Sequence, residues 1–198
     1  MSSKANILAT IRKNLPQAIE LPELDGDWIQ YDDPIEQFRS VLEGVGGKLH
    51  IIQSVQEITG ILRELVSEDR IVASCVPGVL EDRFDFGPID DPHQLEDIDF
   101  AILPGKLAVA ENAAIWVDAE NVPYRVTYFL SQHISLVVPK SEVVSNMHQA
   151  YEKISPSDRT FGCFISGPSK TADIEQSLVK GAHGARTLHV FFVDDDAT

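Results

Sequence analysis

The sequence predicts an α/β domain in which helices cover a parallel sheet. Apolar residues are spaced as in a helix over residues 35–43 and as in a strand over residues 47–52. The alternation continues with a helix at 55–66 and a short apolar strand at 70–75. This order of elements is typical of parallel strands that are joined and covered by helices.

The second half of the chain is richer in short β-prone segments. They follow a stretch at 77–96 that is rich in Asp, Pro and Gly and predicts surface turns. The predicted strands lie at 98–103, 106–110, 113–117 and 133–138, and together they indicate a compact β insertion. A helix at 141–153, a strand at 160–165, a helix at 171–180 and a final strand at 187–193 follow.

Residues 1–33 are predicted to form a helical arm and a linker that precede the α/β domain at 34–198. Within segment 5–15, the residues Ile7, Leu8, Ile11 and Leu15 have helical spacing and leave a polar opposite face. Prolines and a glycine interrupt regular structure in the linker. The arm packs either on its own domain or on a partner, and the sequence leaves both open.

The composition excludes several classes of function. With 31 Asp and Glu against 16 Lys and Arg, the formal net charge is −15, which repels phosphate backbones and anionic lipid. The sequence shows no local basic patch and no apolar run near the ~20 residues that span a bilayer. We therefore expect no nucleic-acid binding and no membrane insertion. The first residues lack an apolar signal-peptide core, so we expect a cytoplasmic protein.

The two cysteines predict neither a disulfide framework nor a metal site. Cys75 and Cys163 lie in separate apolar runs, where a free thiol acts as a small hydrophobic side chain. We expect no bound cofactor and no metal.

The most informative segment is FISGPSKTADIEQSLVKGAHGARTLHVFFV. An apolar strand leads into residues 166–169 (SGPS) and then into a helix whose first turn holds Asp173 and Glu175. We expect this turn at the carboxyl edge of a parallel sheet, where backbone amides at a helix N-terminus bind anions. Helix capping by Ser169 or Thr171 explains the same residues without a ligand. The spacing is not that of a Walker motif, so nucleotide hydrolysis is not predicted.

His183 and Arg186 follow in a turn broken by glycine before the last strand. Arg186 is a bidentate donor suited to a carboxylate or a phosphate, and His183 can move protons near neutral pH. Alternatively, Arg186 forms a structural ion pair with Asp173 or Glu175.

A second candidate is Glu111, which lies between apolar strands in GKLAVAENAAIWV. We expect it near-buried, so that its carboxylate is either hydrogen-bonded as structure or raised in pKa for acid–base or nucleophilic work. Arg125 can partner it or hold an anionic substrate. His133 opens a strand, where we expect a structural role. The other histidines are scattered and predict no site: His50, His93, His148 and His189.

At these segments the chain resembles the LUD (lactate utilization) family. The resemblance rests on SGPSKTADIEQSLVKGAHGARTLHV, on AVAENAAIWV and on LSQHISLVV, and it covers roughly residues 98–193. It implies a Rossmann-like three-layer sandwich of the sugar-phosphate isomerase, CoA-transferase and formyltetrahydrofolate cyclo-ligase type. The expected catalytic residues are Glu111 and His183. The expected ligand-binding residues are Ser166, Gly167, Ser169, Lys170, Thr171, Asp173, Gly184, Arg186 and Arg125.

The sequence departs from the family pattern beside Glu111. Where the family reads AETGT, this chain has Asn112, Ala113 and Ala114 after Glu111. A glycine that permits close backbone approach and a hydroxyl that donates to anions are therefore missing from this loop. The family's HGPR is HGAR here, which keeps His183 and Arg186.

The resemblance implies a component of L-lactate oxidation to pyruvate that acts with iron–sulfur partner proteins and binds a small carboxylate or another anion. Since the chain lacks cluster ligands and a dinucleotide motif, electron transfer would occur on another subunit. One alternative is an independent transferase, isomerase or ligase acting on a small anionic substrate. Another is an interaction module without a ligand. The sequence also leaves open whether the chain forms a homo-oligomer.

Overall fold

Two sheets dominate the computed structural model, which describes residues 3–17, 19–20, 26–67, 69–80, 84–154, 161–170 and 184–194. The helices are α1 (Ser3–Lys13), α2 (Pro34–Gly44), α3 (Gln56–Leu65), α4 (Thr127–Leu130) and α5 (Met147–Lys153). The strands are β1 (Lys48–Ile52), β2 (Val72–Ser74), β3 (Phe100–Pro104), β4 (Leu107–Val109), β5 (Ala114–Asp118), β6 (His133–Pro139), β7 (Val143–Val144), β8 (Gly162–Ser166) and β9 (Thr187–Val193).

The first sheet is parallel throughout and has the strand order β1-β9-β6-β3-β2. Helix α2 buries Phe38 and Leu42 against one face, and α3 buries Ile58 and Leu62 against the other. Helix α2 begins after Asp33, whose side chain accepts hydrogen bonds from two backbone amides of the first turn. Burial on both faces explains why these strands are nearly continuous apolar runs.

The second sheet has the order β7-β4-β5-β8 and packs against the first. Strands β4 and β5 form an antiparallel hairpin, and β8 lies antiparallel to β5 on its far side. The chain passes from the first sheet to the second at Gly105, where a β-carbon would lie 2.7 Å from side-chain carbons of Ile115 and Val138. Glycine is therefore required for the two sheets to approach this closely.

The α/β architecture predicted from the sequence is confirmed. The last strand has the predicted bounds, Thr187–Val193, and the helices and strands between residues 34 and 75 all agree within two residues. The β insertion is also present, as the hairpin of β4 and β5.

Three predictions are wrong. The strands at 98–103 and 133–138, which were predicted to belong to the β insertion, are β3 and β6 of the parallel sheet, because they pair with each other and with β2 and β9. The predicted helix at 141–153 begins only at Met147, because the β-branched Val143 and Val144 pair with β4 and Asn146 caps the helix. The strand before the SGPS turn was expected at the carboxyl edge of a parallel sheet. It is β8, which belongs to the second sheet, because its backbone pairs with β5.

The N-terminal region has two different parts. Helix α1 has no buried residue. Residues 26–31 lie against α5, where Trp28 stacks on His148 with ring centroids 3.5 Å apart and Asn146 Nδ2 donates to the Ile29 carbonyl. Within the described part of the chain, no helix combines the length and apolarity needed to cross a bilayer. The predicted helix at 171–180 lies outside the described residues.

Candidate functional site

The structure brings together the two sequence segments that carry the expected site. Ala114, at the start of β5, pairs with Ser166 at the end of β8. The Ser166 hydroxyl donates a 2.7 Å hydrogen bond to the Asn112 carbonyl. The turn that holds Glu111 therefore lies against the SGPS turn, although the segments are more than fifty residues apart in sequence.

The turn between β4 and β5 is closed by its own side chains. Asn112 Oδ1 accepts a 3.0 Å hydrogen bond from the Ala114 amide. Ala113 has φ 52°, in the left-handed region that favours glycine. Alanine adopts this conformation at a cost in conformational energy.

The Glu111 side chain is partly exposed rather than near-buried, because it lies in this turn at the end of the hairpin. Its backbone amide donates to the Ser145 carbonyl at 3.1 Å. Arg125 does not partner it, since its guanidinium lies over the Phe161 ring at 5.7 Å. Glu111 is thus available to a ligand or a partner from outside.

The SGPS turn is held from two sides. Gly167 has φ 74°, and a β-carbon there would lie 2.8 Å from Val45 Cγ2. The Ser169 amide donates a 2.8 Å hydrogen bond to the Ala185 carbonyl. The turn is thereby fixed between the loop after α2 and the segment that enters β9.

A cavity of about 420 Å³ lies beneath this turn. One wall is apolar and includes Tyr128, Phe129 and Ile134, while Ser166, Ser169 and Lys170 supply polar groups. The lining also includes Val45, Phe164, Ile165, Gly167, Pro168, Gly184 and Ala185. An apolar pocket with a few convergent donors and one cation suits a small organic anion.

Arg186 is not among the residues that line this cavity. Its backbone amide donates to the Gln132 carbonyl at 2.7 Å, at the amino end of β9, and its side chain is exposed. Arg186 therefore does not contribute to the lining of this cavity, although it directly follows Ala185, which does. The expected site residues His183, Thr171 and Asp173 lie outside the described residues, as does Glu175.

Sequence reasoning missed a cluster of histidines on one face of the parallel sheet. His50 Nε2 lies 3.0 Å from His189 Nδ1, and His133 Nδ1 lies 2.8 Å from Thr187 Oγ1. Burial is the largest cause that lowers the pKa of each of the three, to about 4 for His189. The sequence pattern that could have revealed this cluster is the alternation of polar residues in the amino-terminal halves of the strands, as in HIS at 133–135 and TLH at 187–189.

The cysteines are free and half-buried, as their apolar sequence context predicts. Burial raises the pKa of Cys75 to about 11 and also raises that of Cys163, so both thiols stay protonated at neutral pH. Among the described residues, no group of three or more His, Cys, Asp and Glu is arranged to hold a metal ion.

Comparison with known proteins places this α/β domain in a family. The LUD domain profile matches residues 90–193, about half of the chain and the part that contains both turns. The chain therefore belongs to the LUD domain family. The crystal structure of a DUF162 family protein from Deinococcus radiodurans has the same fold, with a TM-score of 0.60 at 17% identity over 81% of this chain and 96% of that one.

Relatives named lactate utilization protein C match the same region. The protein from Shouchella clausii is 35% identical over 107 residues, 52% of this chain and 47% of the relative. The protein from Exiguobacterium sp. is 31% identical over 144 residues, 67% of this chain and 62% of the relative. The chain spans about half the length of most of the curated relatives it matches.

The left-handed Ala113 gives a test of the hairpin turn. We expect Ala113→Gly to leave the free energy of unfolding within about 0.5 kcal/mol of wild type, because relief of the left-handed strain of alanine offsets the entropic cost of glycine and the loss of a buried methyl group. The control is Ala114→Gly, which also loses a buried methyl group but relieves no strain, and should lower the free energy of unfolding by about 1–2 kcal/mol. A scanning calorimeter measures both, since each kcal/mol shifts the melting temperature by about 2–4 °C. Equal losses of stability in the two variants would contradict the turn geometry.

Proposed function

We propose that this chain is a component of lactate utilization that binds a small carboxylate beneath the SGPS turn and acts together with iron–sulfur partner proteins. Membership of the LUD domain family supports the proposal, as does the name of the relatives that match residues around both turns. The observation that carries it is the contact between Ser166 and the Asn112 carbonyl, which joins the two family segments into one surface.

The chemistry of the cavity supports a carboxylate ligand. In a chain of net charge −15, an anion is attracted only by donors placed close to it. Lys170 supplies a positive charge, and the Ser169 hydroxyl can donate a hydrogen bond. A three-carbon hydroxy acid such as lactate is much smaller than 420 Å³ and can place its methyl group against the apolar wall.

The chemistry of lactate oxidation supports partners that carry redox centres. Converting lactate to pyruvate removes two electrons and two protons, so an electron acceptor is required. The whole sequence contains two cysteines, fewer than the four thiolates that usually ligate a cluster. In our proposal the partners hold the redox centres, and this chain binds the carboxylate and docks through the exposed surface around Glu111.

A first prediction concerns the ligand. We expect Lys170→Ala to weaken L-lactate binding about tenfold, because it removes a charge-assisted hydrogen bond. Isothermal titration with L-lactate measures the affinity. The control is Lys153→Ala, which removes a lysine of similar exposure that pairs with Glu142 at 2.9 Å. Equal affinities for wild type and Lys170→Ala would show that the carboxylate binds elsewhere. If wild type does not bind L-lactate at all, lactate is not the ligand.

A second prediction concerns the partners. Affinity purification from the source organism under mild, anaerobic conditions should bring down iron–sulfur proteins and give a brown eluate whose visible absorbance bleaches on addition of L-lactate. Glu111→Lys, which reverses the charge of a partly exposed side chain in a turn, should reduce the recovered partners severalfold without unfolding the chain. The control is Glu120→Lys, also exposed. A colourless eluate that contains this chain alone would contradict the proposed assembly.

A further inference from the structure

A larger cavity also lies near the amino-terminal ends of the parallel strands, but on the face of the sheet that α3 covers. It has a volume of about 550 Å³ and opens between the end of α3 and the starts of β3, β6 and β9. Polar lining groups include Arg63, Arg70, His133, Thr187 and His189. The remaining lining residues are Glu64, Leu65, Val66, Ser67, Asp99 and Phe100. None of them belongs to the carboxylate site proposed above, which is lined by a different set.

Positive charge is concentrated here, although the whole chain carries −15. Arg63 and Arg70 line the cavity, and Arg186 is close enough to His133 to lower its pKa. On the β1 side, Lys48 and Arg39 act on His50 in the same way. These cations come from five separate segments, which explains why the sequence shows no basic patch.

The acidic residues at the cavity offset only part of this charge. Asp99 accepts a 2.8 Å hydrogen bond from Arg70 with one oxygen and a 3.0 Å hydrogen bond from the Ile71 amide with the other. Its charge therefore balances that of Arg70. Glu64 is exposed on α3 beside Arg63. Arg39 is likewise balanced by Glu36, whose carboxylate lies 3.1 Å from its Nε. Arg186 and Lys48 remain in excess, so the local field favours an anion.

The histidines provide hydrogen-bonding groups that can also take up charge. His189 and His133 face the cavity, and His50 lies behind His189 at 3.0 Å. Because the pKa of each is lowered by burial and by neighbouring cations, all three are neutral at pH 7. A neutral imidazole beside a bound anion gains a proton readily, since the anion offsets the field that lowered its pKa.

Thr187 brings a hydroxyl group to the lining, and the hydroxyl group of Ser135 lies outside the lining, on the strand beside His189. Thr187 Oγ1 lies 2.8 Å from His133 Nδ1. Ser135 is fully buried, lies in register with His189 on the neighbouring strand, and its Oγ has no hydrogen-bond partner among the described residues. A buried hydroxyl without a partner is costly unless a ligand, a water or a change of histidine tautomer satisfies it.

We propose that this cavity is a second ligand site, which binds the phosphate group of a small phosphate monoester between Arg63 and the two histidines in the lining, His133 and His189. A dianion matches the excess of cations, and phosphate oxygens accept from guanidinium, imidazole and hydroxyl donors together. The volume of about 550 Å³ exceeds that of a phosphate group. The organic part of the ester contacts the apolar side chains at the end of α3 and Phe100.

Binding at this site is coupled to proton uptake. The bound dianion raises the pKa of His133 and His189 from their lowered values, so the bound state holds more protons than the free state. By linkage, affinity for a dianion whose own charge is constant must rise as pH falls from 7.5 to 5.5. Sulfate keeps its two charges over this range, whereas a phosphate monoester gains a proton near pH 6.

The test uses the full chain and three probes: glycerol 3-phosphate, inorganic phosphate and sulfate. Calorimetric titration should give tighter binding for glycerol 3-phosphate than for inorganic phosphate, and sulfate affinity that rises as pH falls. Arg63→Ala should weaken glycerol 3-phosphate binding about tenfold. The control is Arg12→Ala, which removes an exposed arginine on α1.

The second measurement follows the ring signals of His133 and His189 by NMR as the pH is changed. The pKa of both histidines should rise on binding, while exposed His93 serves as the internal reference.

Several outcomes would overturn the proposal. They are equal affinities for Arg63→Ala and Arg12→Ala, sulfate binding that does not depend on pH, and histidine signals that do not move at saturation. Binding of inorganic phosphate as tight as that of the ester would show an adventitious ion only. Lys170→Ala must leave glycerol 3-phosphate binding unchanged, which separates this site from the carboxylate site. A failure of the lactate titration therefore leaves this proposal standing, and the reverse also holds.

Discussion

The antiparallel pairing of β5 with β8 is the constraint on which the candidate site depends. It aligns Ala114 with Ser166 and so places the Glu111 turn against the SGPS turn. The pairing is stabilised by side chains on both faces of the strands, each cross-strand pair contributing roughly 0.2–1 kcal/mol. At its far end Gly162 leaves room for the Trp116 indole, which a β-carbon there would overlap. Without this pairing, the family's two segments would be separate surface loops.

The fold places anion-binding chemistry on both faces of the parallel sheet, near the starts of β6 and β9, in an acidic domain. The SGPS turn has one lysine and an apolar wall, which suits a monocarboxylate. The amino-terminal edge of the parallel sheet has several cations and neutral histidines, which suits a dianion that brings protons with it. Both arrangements depend on donors that lie within a few ångströms of the ligand, because the overall charge of −15 opposes any anion at longer range.

Local hydrophobic spacing was sufficient to predict most helices and strands, including β9 at 187–193. It could not assign β8 to a sheet, because periodicity carries no information on which strand is the partner. The histidine cluster was not predicted for the same reason, since His50, His133 and His189 become neighbours only through the strand order β1-β9-β6. The valines at 143–144 were predicted as part of a helix, because a two-residue strand is too short to show the alternating pattern of a strand. By contrast, the absence of a glycine near Glu111 could be read from the sequence. The positive φ of Ala113 shows why glycine would be favoured at that position.

The register of β5 against β8 tests the central claim most directly, and the chain already contains one of the two thiols that are needed. Val117 lies opposite Cys163, and directly opposed residues in antiparallel strands have Cα atoms about 4.5–5.5 Å apart, within the range that a disulfide spans. We predict that Val117→Cys forms a disulfide with Cys163 under mild oxidation, detected by mass spectrometry of the digested protein. Ile115→Cys, which lies opposite Ile165, should not link to Cys163. A disulfide from Ile115→Cys and none from Val117→Cys would show that the strands pair in another register and that the two turns do not meet.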